Sequence, residues 1–326
     1  MLFIVSDSNY APYNIATEEY ILENIFEDVF LIYINAPSII VGKHQNTLAE
    51  INQDYVQKRG IPVVRRLTGG GAVFHDLGNF NFSFIVKDEE DKPFAFAKYT
   101  RPILDVINSL GVDARLEGRN DLTIDGMKFS GNAKAIINGR TLQHGTILFE
   151  SQISDLSESL KTNPLKFKDK AVKSIRSRVT NVSDHLSQPL GMDEFIVLIQ
   201  KRVRQLYAES VDYQFSGVQR AAIQELSERK YESWEWNYGH SPSYATHQGV
   251  RTGAGTIEMY LQVKQGIITG IRFYGDYFGL KDSSELETAL TGLPHERNII
   301  QSLLSQKPLQ DYFGPVQVDD ILSLMF

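Results

Sequence analysis

No cysteine occurs among the 326 residues of the chain. This absence excludes disulfide scaffolds, cysteine-ligated zinc, iron–sulfur clusters and every mechanism that uses a thiol nucleophile or a thioester. Long apolar runs are also missing, because stretches such as 29–34 and 195–199 fall far short of the roughly 20 residues that span a bilayer. The first residues carry no positive n-region. We therefore expect a cytoplasmic protein with no membrane partner.

Positive charge is in short supply. The chain has 33 Lys and Arg against 40 Asp and Glu, which gives a net charge of -7. This balance argues against a general nucleic-acid or anionic-membrane binder and leaves only a local basic patch open. Hydrophobic residues make up 42% and charged residues 22%, as in an ordinary globular protein. At roughly 150 residues per domain, the length predicts two domains.

Apolar spacing and turn residues divide the chain into helices and strands. Phe80, Phe82 and Phe84 alternate with smaller residues, which predicts a strand. The dipeptides Asp125-Gly126 and Asn138-Gly139 are typical of type I′ hairpin turns and predict an antiparallel meander over 121–150 instead of a parallel Rossmann sheet. Further strands are predicted over 30–34 and 63–64, and helices over 14–27, over 47–60 with a Thr47/Glu50 capping box, and over 93–110, 193–209 and 217–229.

An aromatic and glycine-rich connector over 231–244 indicates a domain boundary near Tyr244. We predict domains over 1–244 and 245–326. The second domain begins with a hairpin over 256–273 around Gln265-Gly266, and helices follow from about 283 and 295. The predicted class is α+β, with mixed or antiparallel sheets and flanking helices in the first domain and a small α+β C-terminal domain. We interpret Trp234 and Trp236 in the connector as interdomain packing.

The strongest local motif runs from Arg65 to Asp76, where two arginines and Thr68 precede three glycines. Each glycine loses much conformational entropy on folding, so a triplet indicates backbone that approaches a ligand closely or moves over it. Arg66 and the free N–H groups would suit an anion. The competing interpretation is a mobile hairpin loop beside solvated arginines. No Lys-Ser or Lys-Thr follows the glycines, so this is not a Walker loop.

A second motif surrounds Lys128, two residues after a predicted turn. Strand alternation would place Lys128 opposite Met127 and Phe129, and so toward solvent or a cleft. An edge lysine that protects a strand from aggregation would look the same. The small residues over 130–133 favour a ligand site, because they leave room beside the ammonium.

Several polar residues allow more than one interpretation. His75 and His144 lack the spacing of a metal pair, so we interpret them as polar groups of a pocket. Asp121 would serve as a magnesium ligand, as an orienting group for an amine, or as a turn or capping residue. The basic cluster Lys173, Arg176 and Arg178 suits either a phosphate-facing loop or a solvated face.

Together these segments closely resemble the lipoate-protein ligases, and the resemblance covers nearly the whole chain. The matching segments are 66–76, 118–121, 128–133, 144–146, 174–182 and 234–242, in the family's order and with similar spacing. The resemblance implies a biotin/lipoate ligase-like catalytic domain followed by an accessory domain. It also implies a two-step reaction: lipoate and ATP give lipoyl-AMP and pyrophosphate, and a lysine amine of an acceptor protein then displaces AMP to form an amide.

The resemblance further implies a role for individual residues. Lys128 would be the catalytic residue, holding the acid's carboxylate and the α-phosphate while charge develops there. Asp121 would bind Mg²⁺. The acceptors would be lipoyl domains of 2-oxoacid dehydrogenase E2 subunits and the glycine cleavage H protein, with no nucleic acid involved and a monomeric enzyme. The residues implied to bind substrate or lipoyl-AMP are Arg66, Thr68, Gly69, Gly70, Gly71, Phe74, His75, Asn120, Ser130, Gly131, Ala133, His144 and Gly145.

Three other functions compete with this hypothesis. Octanoyl and lipoyl transferases share the implied fold but pass the acyl group through a cysteine, which this chain lacks. Biotin ligases are relatives, yet their glycine-arginine loop differs from residues 65–71. A non-catalytic paralogue that only binds lipoate or lipoyl domains is disfavoured by the presence of Arg66, Lys128 and His144.

The aromatic strand over 80–84 would form either an acyl-chain wall or, as we expect, ordinary core.

Overall fold

The computed structural model describes residues 1–45, 47–87, 95–160, 179–238, 246–264 and 266–326. Its strands are β1 (Leu2–Val5), β2 (Val29–Ile34), β3 (Ser38–Val41), β4 (Val63–Arg65), β5 (Val73–His75), β6 (Asn79–Val86), β7 (Ala114–Glu117), β8 (Asp121–Ile124), β9 (Met127–Ile137), β10 (Arg140–Leu148), β11 (Val211–Asp212), β12 (Thr246–Thr252), β13 (Gly255–Lys264) and β14 (Ile267–Gly275). Its helices are α1 (Ala11–Asn24), α2 (Thr47–Glu50), α3 (Gln53–Arg59), α4 (Ala97–Ser109), α5 (Ile153–Ser159), α6 (Met192–Leu206), α7 (Gly217–Leu226), α8 (Trp234–Asn237), α9 (Ser284–Leu290), α10 (Arg297–Ser305), α11 (Leu309–Phe313) and α12 (Val318–Met325).

A large mixed sheet forms the centre of the N-terminal part, in the order β11-β1-β2-β6-β10-β9-β8-β7. Strand β1 pairs in parallel with both β11 and β2, and the other neighbours are antiparallel. The predicted α+β class with mixed sheets is therefore confirmed. No helix in the described ranges has the length and apolar character needed to cross a membrane.

Both predicted hairpin turns form in the meander from β7 to β10. Asp125 and Gly126 have φ values of 51° and 73°, and Asn138 and Gly139 have 52° and 74°. Positive φ at both central residues is the mark of a type I′ turn, whose twist matches that of the flanking strands. The turns fix the register of β9, which carries Lys128, against β8 and β10.

The aromatic side chains of β6 belong to the hydrophobic core. Phe80, Phe82 and Phe84 are fully buried and pack in one cluster with Phe30 and Phe195. This confirms core packing and removes these rings as an acyl-chain wall. The residues that alternate with them face the other side of the sheet, where the cavity described below lies.

A second sheet, in the order β4-β3-β5, positions the glycine motif. Strand β3 pairs in parallel with β4 and antiparallel with β5. The segment 66–72 joins β4 to β5 and is held at both ends by this sheet. The C-terminal part contains a third sheet, β12-β13-β14, and the helices α9 to α12. Strand β12 and the last two helices were not predicted.

Several predicted boundaries are wrong. Helix α1 begins at Ala11 because Pro12, with its fixed φ, sits in the first turn, and it ends at Asn24, which leaves Phe26 86% exposed. The helix predicted over 47–60 is split into α2 and α3, where Ile51 pairs with Leu160. Thr47 is the first residue of α2, and its hydroxyl donates to a carbonyl of α8 at 2.6 Å.

Some predictions lie outside the described residues. They are the start of the helix at 93, the basic cluster of Lys173, Arg176 and Arg178, Gln265 of the C-terminal turn, and the domain boundary at Tyr244.

Candidate active site

A cavity lies between the large sheet, α1 and residues 66–72, which we call the glycine segment. Ten predicted site residues line it: Arg66, Gly70, Gly71, His75, Asn120, Lys128, Gly131, Ala133, His144 and Gly145. The lining residues that were not predicted are Ile15, Tyr33, Ile40, Ala72, Val73, Asn81, Asn132 and Thr146. The structure therefore brings both sequence motifs to one place.

The sheet provides the floor of this cavity. Tyr33 on β2 is paired with Asn81 on β6, and Asn81 is paired with Thr146 on β10. The Thr146 hydroxyl in turn accepts from the amide of Gly131 on β9 at 3.5 Å. These four residues form a row across three inter-strand spacings, about 14 Å. Lys128 lies at the β9 end of the row.

The Lys128 ammonium is half-exposed at this end and lies 2.8 Å from a carboxylate oxygen of Asp121. A register shift between β8 and β9 marks a bulge at Lys128 and Phe129. Phe129 is fully buried, as alternation predicted. A Cβ on Gly131 would lie 2.9 Å from the Lys128 Nζ, so a side chain at residue 131 would displace the ammonium from its present position. The expected space beside the ammonium is thus filled by the lysine side chain itself.

Asp121 offers one carboxylate to a metal. In the described ranges, no three His, Cys, Asp or Glu side chains lie close enough together to hold a metal ion. Magnesium is often held by one or two protein carboxylates and completed by substrate phosphates and water. Asp121 therefore fits Mg²⁺ only as part of such a shared site. Asn120, next to it, is tied to Asn132 on β9 through hydrogen bonds in both directions.

Arg66 gives the glycine segment a fixed shape. Its guanidinium donates to the carbonyl oxygens of Gly69 at 2.6 Å, Gly71 at 2.9 Å and Ile40 at 3.2 Å. Burial lowers the pKa of Arg66 to about 10, which leaves it charged at neutral pH. The interpretation as a mobile loop beside solvated arginines is wrong, since Arg65 and Arg66 are both buried. The sequence pattern assigned the guanidinium N–H groups of Arg66 to an anion. In the structure these groups donate to carbonyl oxygens and stabilise the segment.

The middle glycine of the triplet is required by the backbone. Gly70 has a φ of 91°, and a Cβ there would lie 2.9 Å from an Arg66 nitrogen. With the carbonyls of the segment turned toward Arg66, the amides of 69–71 donate no hydrogen bond to any described residue. Successive free amides of this kind form an anion-binding concavity.

Arg65 joins distant segments instead of facing the cavity. Its guanidinium donates to the Gln45 carbonyl at 2.7 Å, the Thr47 hydroxyl at 2.7 Å and the Trp236 carbonyl at 2.9 Å. The Trp236 indole donates back to the Arg65 carbonyl at 2.8 Å. Trp234 is 61% exposed. Neither tryptophan lines the cavity. The packing role predicted for Trp234 is wrong, because its side chain is exposed, whereas the bonds between Trp236 and Arg65 fit such a role.

A buried network holds His144 at the cavity wall. Its Nδ1 lies 3.0 Å from both carboxylate oxygens of Glu18, and its Nε2 lies 2.7 Å from the Thr68 hydroxyl. That hydroxyl oxygen also accepts from Arg66 at 3.0 Å, so Thr68 links His144 to the arginine. The ionised carboxylate of Glu18 accepts from Nδ1 at the other side of the ring.

Glu18 was missed by the sequence reasoning. It is fully buried on α1 and also accepts from the hydroxyls of Tyr33 and Ser83. A signal was present, because Glu18 lies three residues after Ile15 and four before Leu22, within the apolar stripe of the predicted helix. A carboxylate in such a stripe indicates a buried hydrogen-bonded group.

His75 is buried on the opposite side of the cavity. Its Nδ1 is 3.0 Å from the side-chain nitrogen of Asn35, and its Nε2 has no partner among the described residues. Burial, with Arg66 and His144 nearby, lowers the pKa of His75 to about 3. The ring is therefore neutral at physiological pH.

Other predicted site residues lie away from the cavity. Phe74 packs in a cluster with Ile39 and Val63, and the Ser130 hydroxyl accepts from the Asn132 side chain at 3.2 Å. Thr68 lies behind His144. Gly69 contacts the backbone of Tyr277 in the C-terminal part, so a side chain there would clash.

Comparison with known proteins gave matches along most of the chain. Residues 10–204 match the family described as lipoyl protein ligase A/B catalytic domain, and residues 241–325 match bacterial lipoate protein ligase C-terminus. Lipoate-protein ligase LplJ of Bacillus subtilis (strain 168) is 41% identical over 331 aligned positions, covering 100% of both chains.

Two solved structures have the same fold. The crystal structure of lipoate-protein ligase A bound with ATP is 26% identical, with a TM-score of 0.62 over 73% of this chain and 98% of its own. The crystal structure of P. falciparum LipL1 in complex with lipoate is 24% identical, with a TM-score of 0.83 over 100% of this chain and 99% of its own.

Proposed function

The chain belongs to the lipoate-protein ligase family, and from this premise we propose how its cavity performs the reaction. It is a ligase that attaches lipoate to protein at the expense of ATP. The observation that carries our proposal is the half-exposed ammonium of Lys128 at one end of the 14 Å row. The free amides of Gly70 and Gly71 lie along the same cavity.

In the first step, a carboxylate oxygen of lipoate attacks the α-phosphorus of ATP. The bond from that phosphorus to pyrophosphate breaks, and lipoyl-AMP forms. Carboxylate and triphosphate repel each other, so the step needs a fixed cation between them. Lys128 supplies that cation and stabilises the charge that develops on both groups. The amides of Gly70 and Gly71 bind the phosphates. Mg²⁺ would neutralise further phosphate charge, with Asp121 as its protein ligand.

In the second step, the amine of an acceptor lysine attacks the carbonyl carbon of lipoyl-AMP. The bond from that carbon to the AMP oxygen breaks, an amide forms and the amine releases a proton. Lys128 again faces the developing charge and does not itself become acylated. The acceptors in our proposal are E2 lipoyl domains and the glycine cleavage H protein. The enzyme acts as a cytoplasmic monomer whose residues 245–326 form an accessory domain.

The acyl chain lies along the row from Gly131 to Tyr33. Lys128 at the β9 end fixes the carboxylate, and Ile15 and Ile40 provide apolar lining. Oriented reactants of this kind can reach effective molarities of about 10⁵ to 10⁸ M, so positioning supplies much of the rate.

Exchange of labelled pyrophosphate into ATP, without an acceptor protein, tests the first step. Purified protein with Mg²⁺ is expected to catalyse exchange with lipoate and none with biotin. A non-catalytic paralogue would bind lipoate without exchange, and folded protein that gives this result would contradict our proposal. Addition of an E2 lipoyl domain or the H protein then tests the second step by the mass gain of one lipoyl group.

A further inference from the structure

A chain of polar side chains, buried apart from Ser6 at its outer end, leads to His75. The Ser6 hydroxyl donates to the Asn14 side-chain oxygen at 2.6 Å, and the Asn14 amide nitrogen donates to the Asn35 oxygen at 2.8 Å. The Asn35 nitrogen then lies 3.0 Å from Nδ1 of His75. Asn14 and Asn35 are fully buried and His75 is 3% exposed. None of these contacts has a part in the proposed chemistry of Lys128.

The direction of every bond in this chain is fixed. The Asn14 nitrogen also donates to the Ser8 carbonyl at 2.8 Å, so the Asn14 amide cannot be reversed. Asn35 therefore presents its oxygen to Asn14 and its N–H to His75. Nδ1 of the neutral His75 ring must accept that N–H, and the ring proton must reside on Nε2.

The Nε2–H group of His75 has no acceptor in the described part of the chain. A buried donor without a partner costs about 1–3 kcal/mol, and native proteins keep few such groups. His75 lines the cavity, so a bound ligand can supply the missing acceptor.

The position of His75 identifies the part of the substrate that it meets. Its partner Asn35 follows directly after β2, the strand that carries Tyr33 at the far end of the row. Lys128 lies three strands away on β9. With the carboxylate at Lys128, the distal end of the acyl chain reaches His75. In lipoate that end carries the two dithiolane sulfurs, which are weak hydrogen-bond acceptors. In octanoate it is a methyl group.

We propose that Nε2–H of His75 donates a hydrogen bond to a dithiolane sulfur and makes the cavity prefer lipoate to simple fatty acids. Asn35 and Asn14 are positioning residues that keep the proton on Nε2. This inference rests on the proposed function, because it assumes that the carboxylate lies at Lys128.

Asn35→Asp reverses the direction of the last hydrogen bond in this series, between residue 35 and His75, with almost no change in side-chain size. A carboxylate at this position only accepts, so Nδ1 of His75 has to donate, and in the neutral ring Nε2 then has no proton. Two-bond ¹H–¹⁵N correlation spectra of the whole protein report which ring nitrogen of His75 is protonated. We expect the proton on Nε2 in the wild type and on Nδ1 in the variant. The ratio of kcat/KM for lipoate to that for octanoate, from pyrophosphate exchange, is expected to fall roughly threefold to tenfold.

His75→Phe provides a second variant that keeps a ring but has no donor, and it should lower the same ratio by a similar factor. Asn9→Asp is the matched control, since Asn9 is exposed in the same region and its side chain bonds only to the Ile34 carbonyl among the described residues. This control should leave the ratio unchanged.

Two results would overturn the inference. One is a wild-type spectrum with the proton on Nδ1 of His75. The other is an unchanged lipoate-to-octanoate ratio in Asn35→Asp although the proton has moved. Failure of the wild type to activate either acid would instead contradict the proposed function, so the two failures can be told apart.

Discussion

Single cations in this molecule have divided roles. Lys128 is half-exposed at the end of the cavity. Arg65 and Arg66 are buried, and their guanidinium groups donate hydrogen bonds to protein oxygens. Burial lowers the pKa of each arginine to about 10. A guanidinium with that pKa keeps its charge at pH 7, so both arginines bind the backbone oxygens as cations. Of these three residues, only Lys128 is accessible to a substrate.

Replacement of Lys128 by alanine should abolish the first half-reaction. The carboxylate and α-phosphate would lose the only cation that we assign to them, and removal of one such donor typically costs 10²- to 10³-fold in rate. Lipoate-dependent pyrophosphate exchange is expected to fall at least about hundredfold. Lys201→Ala, an exposed lysine of α6, is the control. Comparable exchange by both variants would remove Lys128 from the mechanism.

Replacement of Glu18 by glutamine should lower the free energy of unfolding by about 1–3 kcal/mol. The carboxylate accepts from Tyr33, Ser83 and His144, and a glutamine amide would place N–H groups against one of these donors. Urea unfolding measures the change. Glu23→Gln, exposed on the same helix, should have almost no effect. A Glu18→Gln protein as stable as the wild type would show that the network adapts.

Elements around the cavity are positioned by two tight hairpins. These turns set the register of β9 and β10, and the register brings Lys128 and His144 to the same face of the sheet. A shift of one residue in β9 would turn its side chains to the opposite face. The geometry of the site therefore depends on four turn residues that never touch the cavity.

Gly139→Ala tests this dependence. Gly139 has a φ of 74°, and a Cβ added to it would meet nothing within 4 Å, so the substitution is resisted by backbone conformation alone. We expect a loss of about 1 kcal/mol in the free energy of unfolding. Gly217→Ala meets equally open space at the start of α7, without a positive φ, and should not lower stability. Equal effects of the two substitutions in chemical denaturation would contradict the assignment.

Local chemistry explains which elements the sequence could predict. The hairpin turns and the strand of Phe80, Phe82 and Phe84 follow from short-range patterns, and all are confirmed. The break between α2 and α3 depends on a pairing of Ile51 with Leu160, which lies more than a hundred residues away. No local sequence pattern could therefore predict it.

The site divides in the same way. The cavity position of Lys128 and Gly131 followed from alternation and residue size. The resemblance to a known family supplied the roles. Tyr33 and Asn35 were missed, because their roles depend on partners from other strands and helices. Glu18 was missed although its place in the apolar stripe of α1 was a local signal.

On the scale of the whole molecule, the C-terminal part contacts the segments around the cavity. The Gly275 amide donates to the His44 carbonyl at 2.5 Å, and the His44 ring stacks on Tyr277 at 4.7 Å. Arg119 lies over the ring of Phe278 at 4.7 Å. The length predicted two domains, and Trp234 and Trp236 were expected to pack between them. The sequence did not indicate the contacts made by His44 and Arg119.

Acid should weaken the folded protein through His44. Burial lowers its folded pKa to about 3, while an unfolded histidine titrates near 6.5. The unfolded state therefore binds the extra proton between these values, and stability present above pH 6.5 is lost as the pH falls toward 3. Between pH 7.5 and 5.0 the loss from His44 is about 2 kcal/mol.

His44→Phe keeps a ring for the stack on Tyr277 and removes this proton. Urea unfolding at pH 7.5 and 5.0 should therefore show a smaller acid loss, by about 2 kcal/mol, than in the wild type. His247→Gln, at a more exposed histidine, should retain the wild-type loss. Equal losses in all three proteins would show that His44 accepts a proton in the folded state.

The hydrogen bonds of Arg65 also set an order of events during synthesis. They reach the Trp236 and Asn237 carbonyls, which lie 171 and 172 positions later in the chain. At about 5–20 residues per second, a ribosome makes these partners roughly 9 to 34 s after the arginine. The hydrogen bonds of Arg65 are thus completed only when most of the chain has been translated. Until then the nascent chain lacks the last acceptors of this guanidinium.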